Sequence, residues 1–490
     1  VIDFDLNVLK SKFKQHKIPF VLGRADWESK IRIQHDFFRS STADIAGRQV
    51  LDGIELLKSN FISLQDYKLE TAAQAILGKG KLIKGNNRAD EVIKLYKKDP
   101  QKVVDYNLVD SELVYEIFEK KDLINLTIKR SMLTGMQMDR VSASIASLDS
   151  MYLRETKKLG IVAPSSIYNE NDERIKGGYV KQSLPGIYDY ILVLDFKSLY
   201  PSIIRTFNID PLRFDATGKK GEIKAPNDAR FYKKIGILPN LIEYLWRMRD
   251  EAKVKKDIAA SYAIKITMNS FFGVLANPTC RFFNLDMANA ITSYGRYIVQ
   301  ETAKQVEKMN IKNDDKEYKS NDNKKNKDEN SKHEKYKVIY GDTDSIFVDV
   351  KATSLEDADK AGERIQSFIN EYWEATVKDW NNMPSFLELE YEKIYKKFIM
   401  PKLRGTNIGA KKRYAGLKIT KEKDEKGNIL KTKDGKERVS EEMDFVGLEF
   451  VRKDWTDLAK EFQLEMLNRI FHDKEVVDYI SKFVKDLKKG

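Results

Sequence analysis

The chain has 490 residues, 41% of them hydrophobic, and its 87 Lys and Arg against 75 Asp and Glu give a net charge of +12. This composition excludes wholesale disorder, and the length favours about three domains. No long apolar run is present, which argues against a membrane span. The start of the sequence does not resemble a signal peptide, which argues against a secreted protein. Cys280 is the single cysteine, which argues against a disulfide framework. We therefore expect a cytoplasmic protein with an anionic partner.

The first part of the chain mixes short apolar segments with amphipathic ones. Residues 2–9 are interpreted as a strand that leads into a helix, and residues 110–119 have helical spacing. A segment rich in Gly, Pro, Asn and Ser at 160–188 predicts a loop-rich junction. The apolar run at 191–194 then predicts a buried strand that ends at Asp195.

Two helices are predicted between residues 238 and 276. The first carries Arg249 and Lys253, and the second carries Lys265 and Asn269. The members of each pair are four residues apart, so each pair lies on one face of its helix. An exposed helical face is the alternative interpretation of both pairs.

Residues 312–335 contain 8 Lys against 7 acidic residues and show no apolar periodicity. This composition predicts a disordered surface insertion. Immediately after it, residues 337–350 show the pattern of a β-hairpin, with Asp342 and Asp344 at its tip.

The excess positive charge is concentrated in residues 393–440, which contain 16 Lys and Arg against 5 Asp and Glu. This segment includes the consecutive residues Lys411, Lys412, Arg413 and Tyr414. Cations neutralise phosphates and an aromatic ring packs on a base or sugar, so the run indicates a nucleic-acid contact. A solvated loop is the alternative interpretation.

The acidic residues suggest a metal site. Clustered carboxylates such as Asp195, Asp342 and Asp344 repel one another unless a cation neutralises them. Oxygen ligands without His or Cys suit Mg²⁺, and a pair of such ions can stabilise both oxygens of an in-line phosphoryl displacement. For any one of these acids, a turn or a helix cap is the alternative. No P-loop pattern is present to indicate an ATPase of that class.

Three motifs, in this order, resemble those of the family B DNA polymerases: DFKSLYPSII at 195–204, KITMNSFFG at 265–273 and YGDTDSIF at 340–347. The run at 411–414, the cations Arg249 and Lys253, and GGYV at 177–180 match further motifs of that family. Within the family, residues 177–211 are most similar to the polymerase II branch found in bacteria. One departure is Phe272, where the second motif usually has Tyr.

The resemblance implies an α+β right-hand polymerase fold with an antiparallel palm sheet, helical fingers and a partial thumb. The C-terminal half of an α/β ribonuclease H-like 3′–5′ exonuclease domain would precede it. The implied domains are a partial exonuclease at 1–140, a linker and first palm segment at 141–212, fingers at 213–285, a second palm segment at 286–400 and a partial thumb at 401–490.

The resemblance also implies residue roles. Asp195 and Asp344, with the backbone carbonyl of Phe196, would hold two Mg²⁺ ions, and Asp342 would be an auxiliary acid of the catalytic site. The residues implied to bind the incoming dNTP are Arg249, Lys253, Lys265, Asn269, Ser198, Leu199 and Tyr200, of which Tyr200 would exclude a 2′-hydroxyl. The residues implied to contact DNA are Gly178, Tyr179, Thr343, Lys411, Lys412, Arg413 and Tyr414.

Asp5, Tyr106 and Asp110 match parts of the family's exonuclease motifs, whereas the first of those motifs would precede Val1. We therefore expect an internal fragment that does not proofread, taken from a protein that does. The implied activity is DNA-directed DNA synthesis in replication or repair. The implied partners are primer–template DNA, dNTPs and a sliding clamp bound through a missing C-terminal segment, with no membrane, and a bacterial protein would be associated with the nucleoid.

Three other functions remain open from the residues. A reverse transcriptase is disfavoured because Thr343 separates the two acids of the hairpin. A non-catalytic polymerase-like DNA-binding subunit is disfavoured because Asp195 and Asp344 are both present. A nuclease alone is disfavoured by the incomplete exonuclease motifs.

Overall fold

The computed structural model describes residues 2–33, 41–64, 66–80, 88–167, 175–309, 336–403, 405–422, 424, 429–432, 434–435, 437–452 and 454–488. The insertion predicted at 312–335 lies outside the described residues. The backbone divides into two compact units. The first comprises Val1–Asn171 with Asn240–Phe283, and the second comprises Asp172–Pro239 with Asn284–Gly490.

The α-helices, in chain order, are α1 (Asn7–Gln15), α2 (Gly53–Ser59), α3 (Leu69–Leu77), α4 (Arg88–Lys98), α5 (Pro100–Lys120), α6 (Leu123–Thr134), α7 (Ser144–Lys158), α8 (Leu199–Thr206), α9 (Ile237–Val254), α10 (Ile258–Leu275), α11 (Leu285–Lys308), α12 (Leu355–Asn381), α13 (Asp457–Phe471) and α14 (Val477–Leu487). The strands are β1 (Lys30–Arg32), β2 (Thr42–Asp44), β3 (Val180–Lys181), β4 (Gly186–Phe196), β5 (Ile223–Lys224), β6 (Arg230–Phe231), β7 (Lys337–Asp342), β8 (Ser345–Asp349), β9 (Leu389–Met400), β10 (Tyr414–Lys421) and β11 (Val439–Val446).

The first unit is mainly helical. Its core joins α2, α3, α5 and α6 through buried side chains that include Leu57, Ala73, Leu113 and Leu123. Among its described residues the strands are β1 and β2, which pair antiparallel, so the expected α/β arrangement is not confirmed. The pattern at residues 2–9 predicts a strand that leads into a helix. The strand is wrong, because Ile2–Leu6 forms a π-helical turn, but the helix is confirmed, because this turn continues into α1 at Asn7.

Helix α10 belongs to this unit and packs against α6. Its N-cap Asp257 accepts the backbone N–H of Ala260 and pairs with Lys129 at 2.7 Å. In the described part of the chain, α10 is the one helix long and apolar enough to cross a membrane, and 44% of it is buried. A single such helix is weak evidence for a span, because core helices pass the same test.

The second unit is built on a seven-stranded sheet with the strand order β11-β10-β9-β4-β8-β7-β3, in which all neighbours are antiparallel. The central strand β4 lies between β8 and β9, and residues 191–194 are all buried, as the apolar run predicts. Helix α11 packs against β7, and α12 packs against β4 and β9. The chain therefore combines helices with antiparallel sheet.

The predicted hairpin is confirmed, and β4 is followed by α8. Strands β7 and β8 are joined by two residues, and the first, Thr343, has a φ of 58° in the left-handed region. Pro201 lies in the first turn of α8, where its missing N–H removes no helical hydrogen bond.

Candidate active site

Asp195, near the end of the central strand β4, and Asp344, in the turn between β7 and β8, meet in the second unit. Asp195 is the penultimate residue of β4 and pairs with Ser345 of β8. The backbone N–H of Phe196 donates to the carbonyl oxygen of Asp344 at 2.9 Å. These ladder contacts hold the two acids beside each other, although 148 residues separate them in the sequence.

The electrostatics of this pair are unfavourable in the protein alone. Burial, together with the nearby Asp344 carboxylate, raises the pKa of Asp195 to about 8. Burial also raises the pKa of Asp344, with Asp342 contributing in the same direction. Among the described residues, no hydrogen-bond donor reaches the buried Oδ1 atom of Asp195. A buried acidic oxygen without a donor is costly, so the pair fits a positive ligand.

Asp342 differs from the other two acids because its side chain is already engaged. Its Oδ1 atom accepts from the Lys412 ammonium at 2.9 Å and from the Thr343 hydroxyl at 3.0 Å. Its Oδ2 atom accepts from the hydroxyl of Tyr340 at 3.3 Å, and the same hydroxyl accepts the backbone N–H of Lys412 at 3.0 Å. Asp342 therefore links the hairpin to the basic run.

The Gly-Gly-Tyr-Val loop lies against the hairpin tip. The backbone N–H of Thr343 donates to the Tyr179 carbonyl at 2.8 Å, and β3 pairs with the end of β7. A side chain at Gly178 would meet the Thr343 side chain at 3.0 Å and the Tyr200 hydroxyl at 3.4 Å. A glycine is therefore needed where loop, hairpin and α8 converge.

Tyr200 projects from the start of α8, after Ser198 in a left-handed conformation and the buried Leu199. Burial raises the pKa of Tyr200, and Asp344 raises it further, so the phenol stays neutral beside the acids. On the other side, Gly295 of α11 gives the ring room, since a Cβ there would lie 3.3 Å from the Tyr200 ring.

The basic run leads into β10, which starts at its last residue, Tyr414. Lys411 and Lys412 are exposed, whereas Arg413 forms an ion pair with Glu449. Tyr414 is half-buried and packs on aromatic rings of the sheet, including Phe347 and Phe398 at centroid distances of 5.3 and 5.2 Å. Burial raises the pKa of Tyr414. The two lysines of this run are therefore exposed, while its aromatic residue packs against the sheet.

Four predicted nucleotide ligands lie in the first unit. Lys265 and Asn269 are exposed on one face of α10, while Ile264, Ile266 and Met268 beside them are buried. On α9, Arg249 is half-buried and the exposed Lys253 pairs with Asp250 at 3.3 Å. Each pair therefore shares a helical face, as the spacing predicts.

The residues that match exonuclease motifs also lie in the first unit. Asp5 is in the π-helical turn, and Tyr106 and Asp110 lie one helical turn apart on α5.

Sequence reasoning missed two acids and a lysine beside Asp195 and Asp344. Glu392 and Glu390 of β9 both raise the pKa of Asp195, and Glu390 is its register partner on that strand. Lys197 lies 3.0 Å from Glu388 and 3.4 Å from Glu390, which partly balances these charges. The alternating acids of Leu-Glu-Leu-Glu-Tyr-Glu, at 387–392, are the signal that could have found them.

No group of three or more His, Cys, Asp or Glu side chains in the described ranges is arranged as a metal cluster. The site nevertheless offers what a hard cation requires. Asp195 and Asp344 are neighbouring carboxylates with raised pKa values, and one oxygen of Asp195 has no donor among the described residues. Their oxygens can act as ligands, and a bound cation would relieve the repulsion between the two carboxylates. The residues present therefore fit a divalent cation.

Comparison with known proteins defines the class. A family model for DNA polymerase family B matches residues 138–489. The chain therefore belongs to DNA polymerase family B, as the motifs predict, and members of this family generally use divalent metal ions.

Among individual relatives, the chain is 37% identical to DNA polymerase II of Escherichia coli over all of its own length and 58% of that protein. It is 28% identical to a DNA polymerase of Thermococcus gorgonarius, covering 98% of this chain and 57% of the relative. The catalytic subunit of Xenopus laevis DNA polymerase alpha is 27% identical, with 98% and 32% covered. The similarity to polymerase II predicted from the motifs is confirmed, and the chain spans little more than half of that relative.

Proposed function

We propose that this protein is a DNA-directed DNA polymerase that extends a primer 3′ end with dNTPs, in replication or repair. The observation that carries the proposal is that the carboxylates of Asp195 and Asp344 lie beside each other, that both have raised pKa values, and that the buried Oδ1 atom of Asp195 has no hydrogen-bond donor among the described residues. Membership of DNA polymerase family B supports it.

The reaction is an in-line displacement at phosphorus. The primer 3′-hydroxyl oxygen forms a bond to the α-phosphorus of the dNTP and loses its proton to solvent. The bond from that phosphorus to the oxygen bridging to the β-phosphate breaks, and pyrophosphate leaves. Two Mg²⁺ ions held by Asp195, Asp344 and the Phe196 carbonyl would supply electrostatic stabilisation of the attacking and leaving oxygens.

The protein's own residues bind and orient the substrates in this proposal. Lys265, Arg249 and Lys253 would neutralise the triphosphate, and Asn269 would support them. Tyr200, close to Gly178, would occupy the space that a 2′-hydroxyl needs. Ser198 and Leu199 would present backbone to the same nucleotide.

The duplex would lie along the hairpin tip and the basic run. Lys411 and Lys412 are exposed and would contact phosphates. Gly178, Tyr179 and Thr343 would position the primer end. The remaining residues of the run, Arg413 and Tyr414, would act through their contacts with Glu449 and the sheet core.

The domain assignment stays a proposal as well. The seven-stranded sheet would be the palm, with β10 and β11 continuing it beyond residue 400 before a partial thumb. Helices α9 and α10 would be the fingers, and residues 1–140 would be exonuclease-derived. We also propose that the protein binds a sliding clamp and that it is cytoplasmic and associated with the nucleoid.

Primer extension on a DNA template, with Mg²⁺ and dNTPs, tests this function. We expect template-directed extension by the protein and its loss in Asp195→Ala, with duplex affinity largely retained. Tight duplex binding without extension, unchanged by Asp195→Ala, would instead support the non-catalytic DNA-binding subunit. Metal-dependent trimming of the 3′ end would contradict the expectation that this chain lacks proofreading.

A further inference from the structure

A cavity of about 490 Å³ lies in the second unit and is lined by none of the residues proposed for catalysis. Its walls come from the β5–β6 hairpin, from the middle of α11 and from the last turn of α12. The volume is within the range of about 300–1,000 Å³ that is typical of small-molecule and side-chain pockets.

Aromatic rings form one side of this cavity. Tyr297 and Trp380 line it with ring centroids 5.4 Å apart and planes inclined at 52°, and Trp380 is 45% exposed. Tyr294 lines it as a buried residue whose hydroxyl donates to the Lys224 carbonyl at 3.1 Å and whose ring stacks on Phe207. The face of an aromatic ring carries partial negative charge, so inclined rings attract a cation placed between them.

The charged groups around the cavity favour the same sign of ligand. Lys224 and Asp228 pair at 2.7 Å and neutralise each other, which leaves the exposed Glu222 carboxylate as the net charge of the lining. Glu222 accepts the backbone N–H of Lys233 through Oε2, so its position is defined. Trp380 lies at the C-terminal end of α12, where the helix dipole also favours positive charge.

We infer that this cavity binds an organic cation, the guanidinium or ammonium group of an arginine-like or polyamine-like ligand. Among the described residues, no Lys or Arg side chain lies over the ring of Tyr297 or Trp380, so within that part of the chain these ring faces are open to a ligand. The cation would lie against both rings while Glu222 accepts its N–H groups. A neutral aromatic or proline-rich ligand could use the rings but not the carboxylate.

Titration calorimetry with the whole chain tests this site. The probes are N-acetyl-arginine amide, spermidine and the neutral isostere N-acetyl-citrulline amide. We expect saturable binding of the arginine probe, and at least about tenfold weaker binding of the citrulline probe. Tighter binding of spermidine than of the arginine probe would indicate a free polyamine as the source, and the reverse order would indicate an arginine side chain of a protein.

Two variants and a matched control locate the site. Trp380→Leu and Glu222→Gln change exposed side chains, so the fold should be retained, and each should weaken the arginine probe about tenfold. Trp455→Leu, at a residue that is 42% exposed elsewhere in the same unit, should not change the affinity. Wild-type affinity in both cavity variants, equal binding of the citrulline probe, or no saturable binding would overturn the inference.

Discussion

The carboxylate pair and the basic segment at 393–440 handle charge in opposite ways. Asp195 and Asp344 are close together, and burial raises the pKa of both. Several described lysines of the basic segment, in contrast, pair with acids on other strands of the sheet. Lys396 pairs with Glu441 at 2.7 Å, and Lys418 pairs with Glu442 at 2.6 Å.

This difference distinguishes charges that support the fold from charges that serve a function. Exposed ion pairs contribute only about 0–1 kcal/mol each, but they neutralise lysines that would otherwise repel one another on the sheet. A buried acid pair without a cation destabilises the fold, so its presence indicates a positive ligand rather than structural support. The large positive charge of the segment is thus mostly balanced, whereas the small negative charge of the acid pair is not.

The largest expected effect tests this contrast among the acids themselves. Asp344→Asn should reduce primer extension by at least about a thousandfold, because it removes a cation ligand from the reaction site. Asp342→Asn should have a much smaller effect, because Asp342 is already engaged by Lys412 and Thr343. Steady-state extension rates measure both, and equal losses would contradict the separation of roles.

A smaller effect is expected from substitution of Tyr200. Tyr200→Ala should raise ribonucleotide incorporation relative to dNTPs by about tenfold or more, because steric exclusion of the 2′-hydroxyl is lost. Tyr200→Phe keeps the ring and should retain the wild-type ratio. Competition between rNTP and dNTP in single-nucleotide extension measures this ratio, and an unchanged ratio in Tyr200→Ala would exclude the gate.

The basic segment yields a prediction about salt dependence. Lys412→Ala should weaken duplex binding across sequences and lower the slope of log affinity against log salt by about 0.9, as expected for one lost phosphate contact. Lys418→Ala, at a lysine paired with Glu442, is the matched control and should leave the slope unchanged. Fluorescence anisotropy at several salt concentrations measures both. Equal slopes in the two variants would place Lys412 away from DNA.

The smallest expected effect concerns stability without divalent cations. The folded pKa of Asp195, about 8, lies above its ordinary value of 3.8, so the folded state binds more protons and stability falls as pH rises between these values. In EDTA, Asp195→Asn should therefore melt a few degrees higher than the wild type at pH 8, and the difference should vanish below pH 4. Thermal melts at pH 8 and below pH 4 measure this difference. A wild type that melts at a higher temperature than Asp195→Asn at pH 8 would contradict the repulsion between Asp195 and Asp344.

Local patterns correctly predicted several elements that carry the candidate site residues. The apolar run before Asp195, the hairpin carrying Asp342 and Asp344, and the helical spacing of Lys265 and Asn269 all have short-range causes, and the structure agrees with each. The strand predicted at the start of residues 2–9 did not form, because a strand needs a neighbouring strand to share its hydrogen bonds, and none of the described strands pairs there.

The sequence by itself determined which acids and cations the chain has, where its motifs lie and to which family it belongs. Only the tertiary structure decided which charges meet. Lys412 reaches Asp342 across 70 residues, and the acids of β11 reach the lysines of β9 and β10 through strand register. Pairing and burial depend on segments remote in the sequence, so the opening net charge could not reveal that lysines of β9 and β10 are paired with acids, whereas Asp195 and Asp344 have no ion pair among the described residues.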